Sequence, residues 1–111
     1  MKINNQQIND ILIVNIQEKD ANLSNSEKFK ELIFNEIDKG NHKLIISFDE
    51  VEYVDSSFLG ALVAILKKLM SSGGKLVIIG LNEDIKHLFD LTRLDKVFTV
   101  EHELEKAKQH F

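Results

Sequence analysis

A chain of 111 residues has room for one hydrophobic core and one functional site, not for two independent domains. Its hydrophobic share of 43% and charged share of 29% exclude a disordered or fibrous class, and 14 basic against 18 acidic side chains, a net charge of −4, disfavour nucleic acid or an anionic membrane as main partner. Without cysteine there is neither a disulfide framework nor a thiolate metal site, and no proline, repeat or low-complexity tract divides residues 1–111.

The first element in chain order is an edge strand over residues 2–8. Ile11-Leu12-Ile13-Val14-Asn15-Ile16 follows, short, β-branched and apolar enough for a strand buried on both faces. Ser24-Asn25-Ser26-Glu27 has capping-box spacing, and Phe29, Leu32, Ile33 and Ile37 recur at helical intervals before Gly40, which predicts an amphipathic helix of about four turns. Lys43 to Phe48 reads as a second buried strand, and Lys75 to Ile79, entered through Gly73-Gly74, as a third. Between them a helix runs from Ser57 to about Ser71. Asn82 caps a short helix carrying Ile85, Leu88 and Phe89; Val97 to Val100 reads as a last strand and Glu101 to His110 as a terminal helix. Strands alternating with helices predict an α/β domain with a mixed, mostly parallel sheet of four to five strands and about four helices.

Function in such sheets gathers beyond the carboxyl ends of the strands, and the Asp55-Ser56-Ser57 turn belongs to that rim. Setting Phe58 at zero on a helical wheel puts Leu62, Ile65, Leu66 and Leu69 within about 80° of it, so that face belongs to the core. The opposite side carries Gly60, Ala61 and Ala64 in the first turns and Lys67, Lys68 and Ser71 further along. A small, apolar outward face beside two hydroxyls can admit another protein's backbone closely, unless this protein's own loops or terminal helix cover it. Asp55 reads as a helix N-cap. Ser56 and Ser57 read either as ordinary first-turn residues or as modifiable hydroxyls where a helix start welcomes an anion.

The chain resembles STAS-domain proteins, specifically the anti-sigma factor antagonists of bacterial sporulation and stress response. Val54-Asp55-Ser56-Ser57-Phe58-Leu59-Gly60 is close to that family's D-S-[ST]-G-L-G signature. Gly73-Gly74-Lys75-Leu76 and Leu88-Phe89-Asp90-Leu91-Thr92-Arg93-Leu94-Asp95-Lys96-Val97-Phe98, similar to L-F-x-x-[ST]-x-L-x-x-[IV]-F, support it, so the resemblance covers nearly the whole chain as one STAS domain over residues 1–111. It implies that Ser56 is a phosphoacceptor, with Ser57 as the alternative. It also implies that the unphosphorylated form binds an anti-sigma factor which is itself a serine-protein kinase, and that a metal-dependent phosphatase of the PP2C type resets the switch. Partner-binding residues would be Asn22, Asp55, Ser56, Ser57, Phe58, Gly60 and Ala64, with no cofactor and at most a weak homodimer.

Two positions depart from the family pattern. Phe58 stands where glycine is frequent, so its ring either narrows access to Ser56 or turns inward. Asn22 aligns with an aspartate that precedes the family's first long helix, and Asp20 lies two residues earlier.

Other functions find less in the sequence. There is no G-x-S-x-G elbow, no G-x-x-x-x-G-K-[ST] loop and no H-E-x-x-H helix, and His42, His87, His102 and His110 lack metal-ligand spacing, so an enzyme is not expected. A phosphoaspartate receiver needs an acidic magnesium cluster after its first strand, of which Asn15 to Asp20 offers a poor version. The serious alternative is a STAS scaffold that never meets phosphate, serving a stress-sensing or lipid-transport assembly. The longest run without polar side chains, Phe58 to Leu66, is far short of the ~20 residues of a membrane span, and MKINNQQIND lacks a signal-peptide core, so a cytoplasmic location is expected.

Overall fold

The chain opens with a hairpin because two β-rich runs flank Asn9-Asp10, and Asn9 takes the left-handed conformation (φ 54°) that asparagine tolerates. In the computed structural model, which describes residues 1–111, strand β1 (Ile3–Ile8) pairs antiparallel with β2 (Ile11–Ile16) in flush register from Ile3↔Ile16 to Ile8↔Ile11. A two-residue strand β3 (Asp20–Ala21) leads into helix α1 (Leu23–Asp38), after which come β4 (Lys43–Ser47), a second two-residue strand β5 (Tyr53–Val54), helix α2 (Ser56–Ser71) and β6 (Lys75–Ile79). Helix α3 (Glu83–Leu91), a 3₁₀ turn at Leu94–Lys96, β7 (Thr99–Glu101) and helix α4 (Leu104–Lys108) complete the chain. The main sheet runs β1-β2-β4-β6-β7, parallel except for β1, and β3 pairs parallel with β5 apart from it.

Side chains alternate across each strand, so the two faces of the sheet build two cores. Leu12, Val14, Ile16, Leu44, Ile46, Leu76 and Ile78 meet α1, α2 and α3 through Phe29, Ile33, Phe58, Leu62, Ile65, Ile85 and Phe89. Ile11, Ile13, Ile45, Val77 and Ile79 face the other way and are closed over by Ala107, Leu104 and Phe111. Burial on both sides explains the continuous apolar runs of β2, β4 and β6, where one-sided strands would alternate. Burying each such side chain contributes roughly 1.5–3 kcal/mol. Gly74 sits where a Cβ would meet the Leu69 side chain and the His42 carbonyl, so the entry to β6 admits only glycine.

Several boundaries differ from the sequence expectation. Helix α1 starts at Leu23, one residue before Ser24. Asn22 is its cap, accepting from the Ser24 N–H, and Asn25 reciprocates with the Asn22 N–H, so the capping box is Asn22/Asn25 and not Ser24/Glu27. The last strand is Thr99–Glu101, not Val97 to Val100, because the N–H groups of Val97 and Phe98 both turn back to the Leu94 carbonyl. The terminal helix is Leu104–Lys108, shorter than Glu101 to His110, since Glu101 is held in the sheet opposite Ile79 and Glu103 is extended. Strands β3 and β5 carry too few residues for any periodicity to announce them.

Candidate functional site: two helix starts joined at Asp55

The β3/β5 pair sets Asp20 opposite Tyr53 and Ala21 opposite Val54, and the Asp55 N–H donates to the Ala21 carbonyl at 3.1 Å. This ladder carries the start of α1 beside the start of α2. Asp55, extended at φ −107° and ψ 177°, caps α2: its Oδ1 accepts from the Phe58 N–H at 3.0 Å. Its Oδ2 accepts from the Leu23 N–H, the first of α1, at 2.9 Å. One carboxylate therefore serves two helices of 16 residues each, and negative charge at both N-termini is favourable.

Asn22 completes the junction. Its Oδ1 accepts from the Ser24 N–H at 2.9 Å and from the Ser24 hydroxyl at 2.6 Å, while Asn25 Nδ2 donates to the Asp20 carbonyl at 2.8 Å. The position that the family pattern fills with aspartate is thus a neutral cap whose oxygen is already occupied.

Ser56 is the first residue of α2 and is exposed; Ser57 is half-buried. With Phe58 N–H taken by the Asp55 side chain and Leu59 N–H by the Asp55 carbonyl, the N–H groups of Ser56 and Ser57 are the orphan donors of that first turn. Phe58 turns inward. It is fully buried, stacked on Phe29 at 5.0 Å between ring centroids and edge-on to Phe48 at 6.2 Å, so its ring does not stand over Ser56.

The outward face of α2 is narrower than the wheel implies. Gly60 is exposed and Ala64 half-buried, but Ala61 is buried at 7% exposure and belongs to the interior. A Cβ on Gly60 would meet nothing within 4 Å, so the fold leaves open space beside it and no loop or terminal helix lies over that position. Two large apolar side chains flank the junction and were not singled out from the sequence: Leu23 is 73% exposed and Tyr53 66%. Their signal was available, since Leu23 directly follows the Asn22 cap and Tyr53 stands two residues before Asp55.

Elsewhere the side chains offer less. No three His, Asp or Glu residues converge on a point suited to a metal ion, and His110 Nε2 lies 2.7 Å from Glu101 Oε2. No helix is long and apolar enough to cross a membrane.

Comparison with known proteins places the fold. The STAS domain family model matches residues 2–107. A Thermotoga maritima protein with the provisional name anti-sigma factor antagonist is 32% identical over 103 residues, covering 92% of this chain and 90% of its own. The crystal structure of a Thermotoga maritima protein under the same provisional name superposes with a TM-score of 0.89 at 29% identity, over 97% of this chain and 92% of that one. The Bacillus cell fate determinant SpoIIAA in its phosphorylated form shares the fold, with a TM-score of 0.75 at 14% identity over 99% and 100% of the two chains. With the family model spanning nearly every element from β1 to α4, the chain belongs to the STAS-domain family.

Proposed function

We propose that this protein is an anti-sigma factor antagonist whose unphosphorylated form binds an anti-sigma factor with serine-kinase activity, frees a sigma factor, and is switched off by phosphorylation of Ser56. The observation that carries this reading is the exposed hydroxyl of Ser56 on the first turn of α2, next to a carboxylate already committed to two helix starts. The names borne by the Thermotoga relatives support the partner class.

A phosphate on Ser56 brings about −1.5 to −2 charge and strong acceptor oxygens. The orphan N–H groups and the helix dipole accommodate it on this chain, so α2 has no reason to unwind. On a docked partner the same group acts as a steric block, and its repulsion with Asp55 cannot be relieved by swinging the carboxylate away without uncapping α1 and α2. The switch is therefore electrostatic, not a refolding. A loss of about 2.7 kcal/mol is roughly a hundredfold in affinity. Leu23, Tyr53, Gly60 and Ala64 supply the apolar contact around the serine, with Asn22, Asp55, Ser57 and the buried Phe58 holding its shape. A phosphatase of the PP2C type removes the phosphate and restores binding.

Phosphosite mapping after incubation with ATP and the kinase-type anti-sigma factor of the source organism tests this directly. Modification at Ser56, abolished in Ser56→Ala while binding persists, and weak binding by Ser56→Asp are the expected results. Modification at Ser57 alone moves the acceptor by one residue. No modification, together with equal affinity of Ser56→Asp and the native chain, overturns the proposal in favour of a phosphate-independent scaffold.

A further inference from the structure

The five-stranded sheet ends on β1, which is paired on one side only. Edge strands are normally guarded by inward-pointing charges, prolines, bulges or very short length, because their free N–H and C=O groups template another strand. Strand β1 has none of these. It is six residues long, pairs with β2 without a bulge, and reads Ile-Asn-Asn-Gln-Gln-Ile, with no charge and with Asn4, Asn5, Gln6 and Gln7 all exposed.

The direction of its free groups follows from the ladder. In an antiparallel pair, opposed residues alternate between those that exchange hydrogen bonds and those that do not. The Gln17 N–H donates to the Lys2 carbonyl at 2.8 Å, just beyond the Ile3↔Ile16 pair, so the even-numbered residues of β1 bond inward to β2. Ile3, Asn5 and Gln7 then hold their backbone N–H and C=O groups outward.

We propose that β1 is a self-pairing edge through which two copies of this chain join into one continuous ten-stranded sheet, antiparallel about a two-fold axis at Asn5. In that register Asn5 opposes Asn5 of the second copy, and Ile3 opposes Gln7 in both directions, which satisfies every outward backbone group of the strand. Asn4 faces Gln6 across the joint. An amide side chain is donor and acceptor together, so amide opposite amide is complementary without any change of sequence between the two sides. Charge favours the same direction: Lys2 precedes the strand and Asp10, whose exposed carboxylate also meets Lys43 at 2.6 Å, follows it, so antiparallel pairing brings a cation and a carboxylate near one another at each end where parallel pairing would set Lys2 beside Lys2. An isologous two-fold contact of this kind closes on itself. The surface is independent of Ser56, so its test stands apart from that of the phosphorylation switch.

Sedimentation equilibrium of the full chain should give a molar mass rising from 12.7 kDa toward twice that value as concentration approaches about 1 mM. Asn5→Lys, which sets two ammonium groups face to face across the axis, should return the mass to that of the monomer. Gln7→Lys should weaken the dimer at least tenfold, and both variants should keep the thermal midpoint of the dilute native protein. A monomer throughout the native series overturns the proposal, as does a dimer that persists in both lysine variants.

Discussion

The backbone N–H of Leu23 donates to Oδ2 of Asp55, 32 residues further along the chain, at 2.9 Å. That single bond ties the entry of α1 to the entry of α2. The other oxygen of the same carboxylate caps α2, so one side chain fixes both the orientation of the two helices and the outline of the surface around Ser56.

Asp55→Ala removes a helix cap and strands the Leu23 N–H at once. The cap is worth ~0.5–2 kcal/mol and the second bond, made to a charged acceptor, a further ~1 kcal/mol or more. Urea unfolding should show a loss of about 1.5–3 kcal/mol for Asp55→Ala and a smaller one for Asp55→Asn, which keeps one acceptor oxygen. Equal stability of all three proteins would mean that the junction is not held by this residue.

Phe58 occupies a position that the family pattern often gives to glycine, and here the ring fills the space between Phe29 and Phe48. Phe58→Ala should cost roughly 3–5 kcal/mol, as for other buried aromatic truncations. Reverting to the family-like glycine should cost more still, because a first-turn helix position then carries glycine's backbone entropy as well. Thermal unfolding followed by circular dichroism measures both.

Gly60 is the opposite case. A methyl group there enters open space, so Gly60→Ala should stabilise α2 by about 0.5–1 kcal/mol through backbone entropy alone. Gly60→Arg and Ala64→Arg should leave stability within about 1 kcal/mol yet weaken anti-sigma factor binding at least tenfold in a calorimetric titration. Unchanged affinity in both arginine variants would remove this face from the docking surface.

Asp10, in the β1–β2 turn, is held below its ordinary value of 3.8 by the hydrogen bond from Lys43 at 2.6 Å. A carboxylate with a lowered pKa in the folded state stabilises the protein above the unfolded value, and that stability is lost as pH falls through the folded value. The stability difference between the native chain and Asp10→Asn should therefore be constant near neutrality, shrink below about pH 4 and vanish once both states are protonated. A difference that grows on acidification would contradict the sign.

How far the fold can be read from the sequence depends on how many residues each element gives to a repeating pattern. The apolar runs Ile11–Ile16, Lys43–Ser47 and Lys75–Ile79 and the spacing of Phe58, Leu62, Ile65 and Leu69 announce β2, β4, β6 and the buried face of α2. Two-residue strands such as Asp20–Ala21 and Tyr53–Val54 have no period at all, yet they bring Asn22 and Asp55 together. Ala61 lies at the edge of the wheel's outer arc, where a small side chain is covered by its larger neighbours, and only three-dimensional packing reveals that. For the site, Asp55, Ser56 and Gly60 were legible in one contiguous motif. The bond from Leu23 to Asp55 was not, because no local rule links residues so far apart.

Helix α4 has only five residues and is joined to β7 through the meeting of His110 with Glu101. A segment that short has no helicity of its own, so tertiary packing alone keeps it folded. Its detachment costs less than global unfolding and lays bare a greasy plane of isoleucine and valine on the rear of the sheet. Deuterium uptake should therefore begin at Leu104 to Lys108 long before the central strands exchange, and heat-driven clumping of this protein should start from that flap and not from the serine-bearing end.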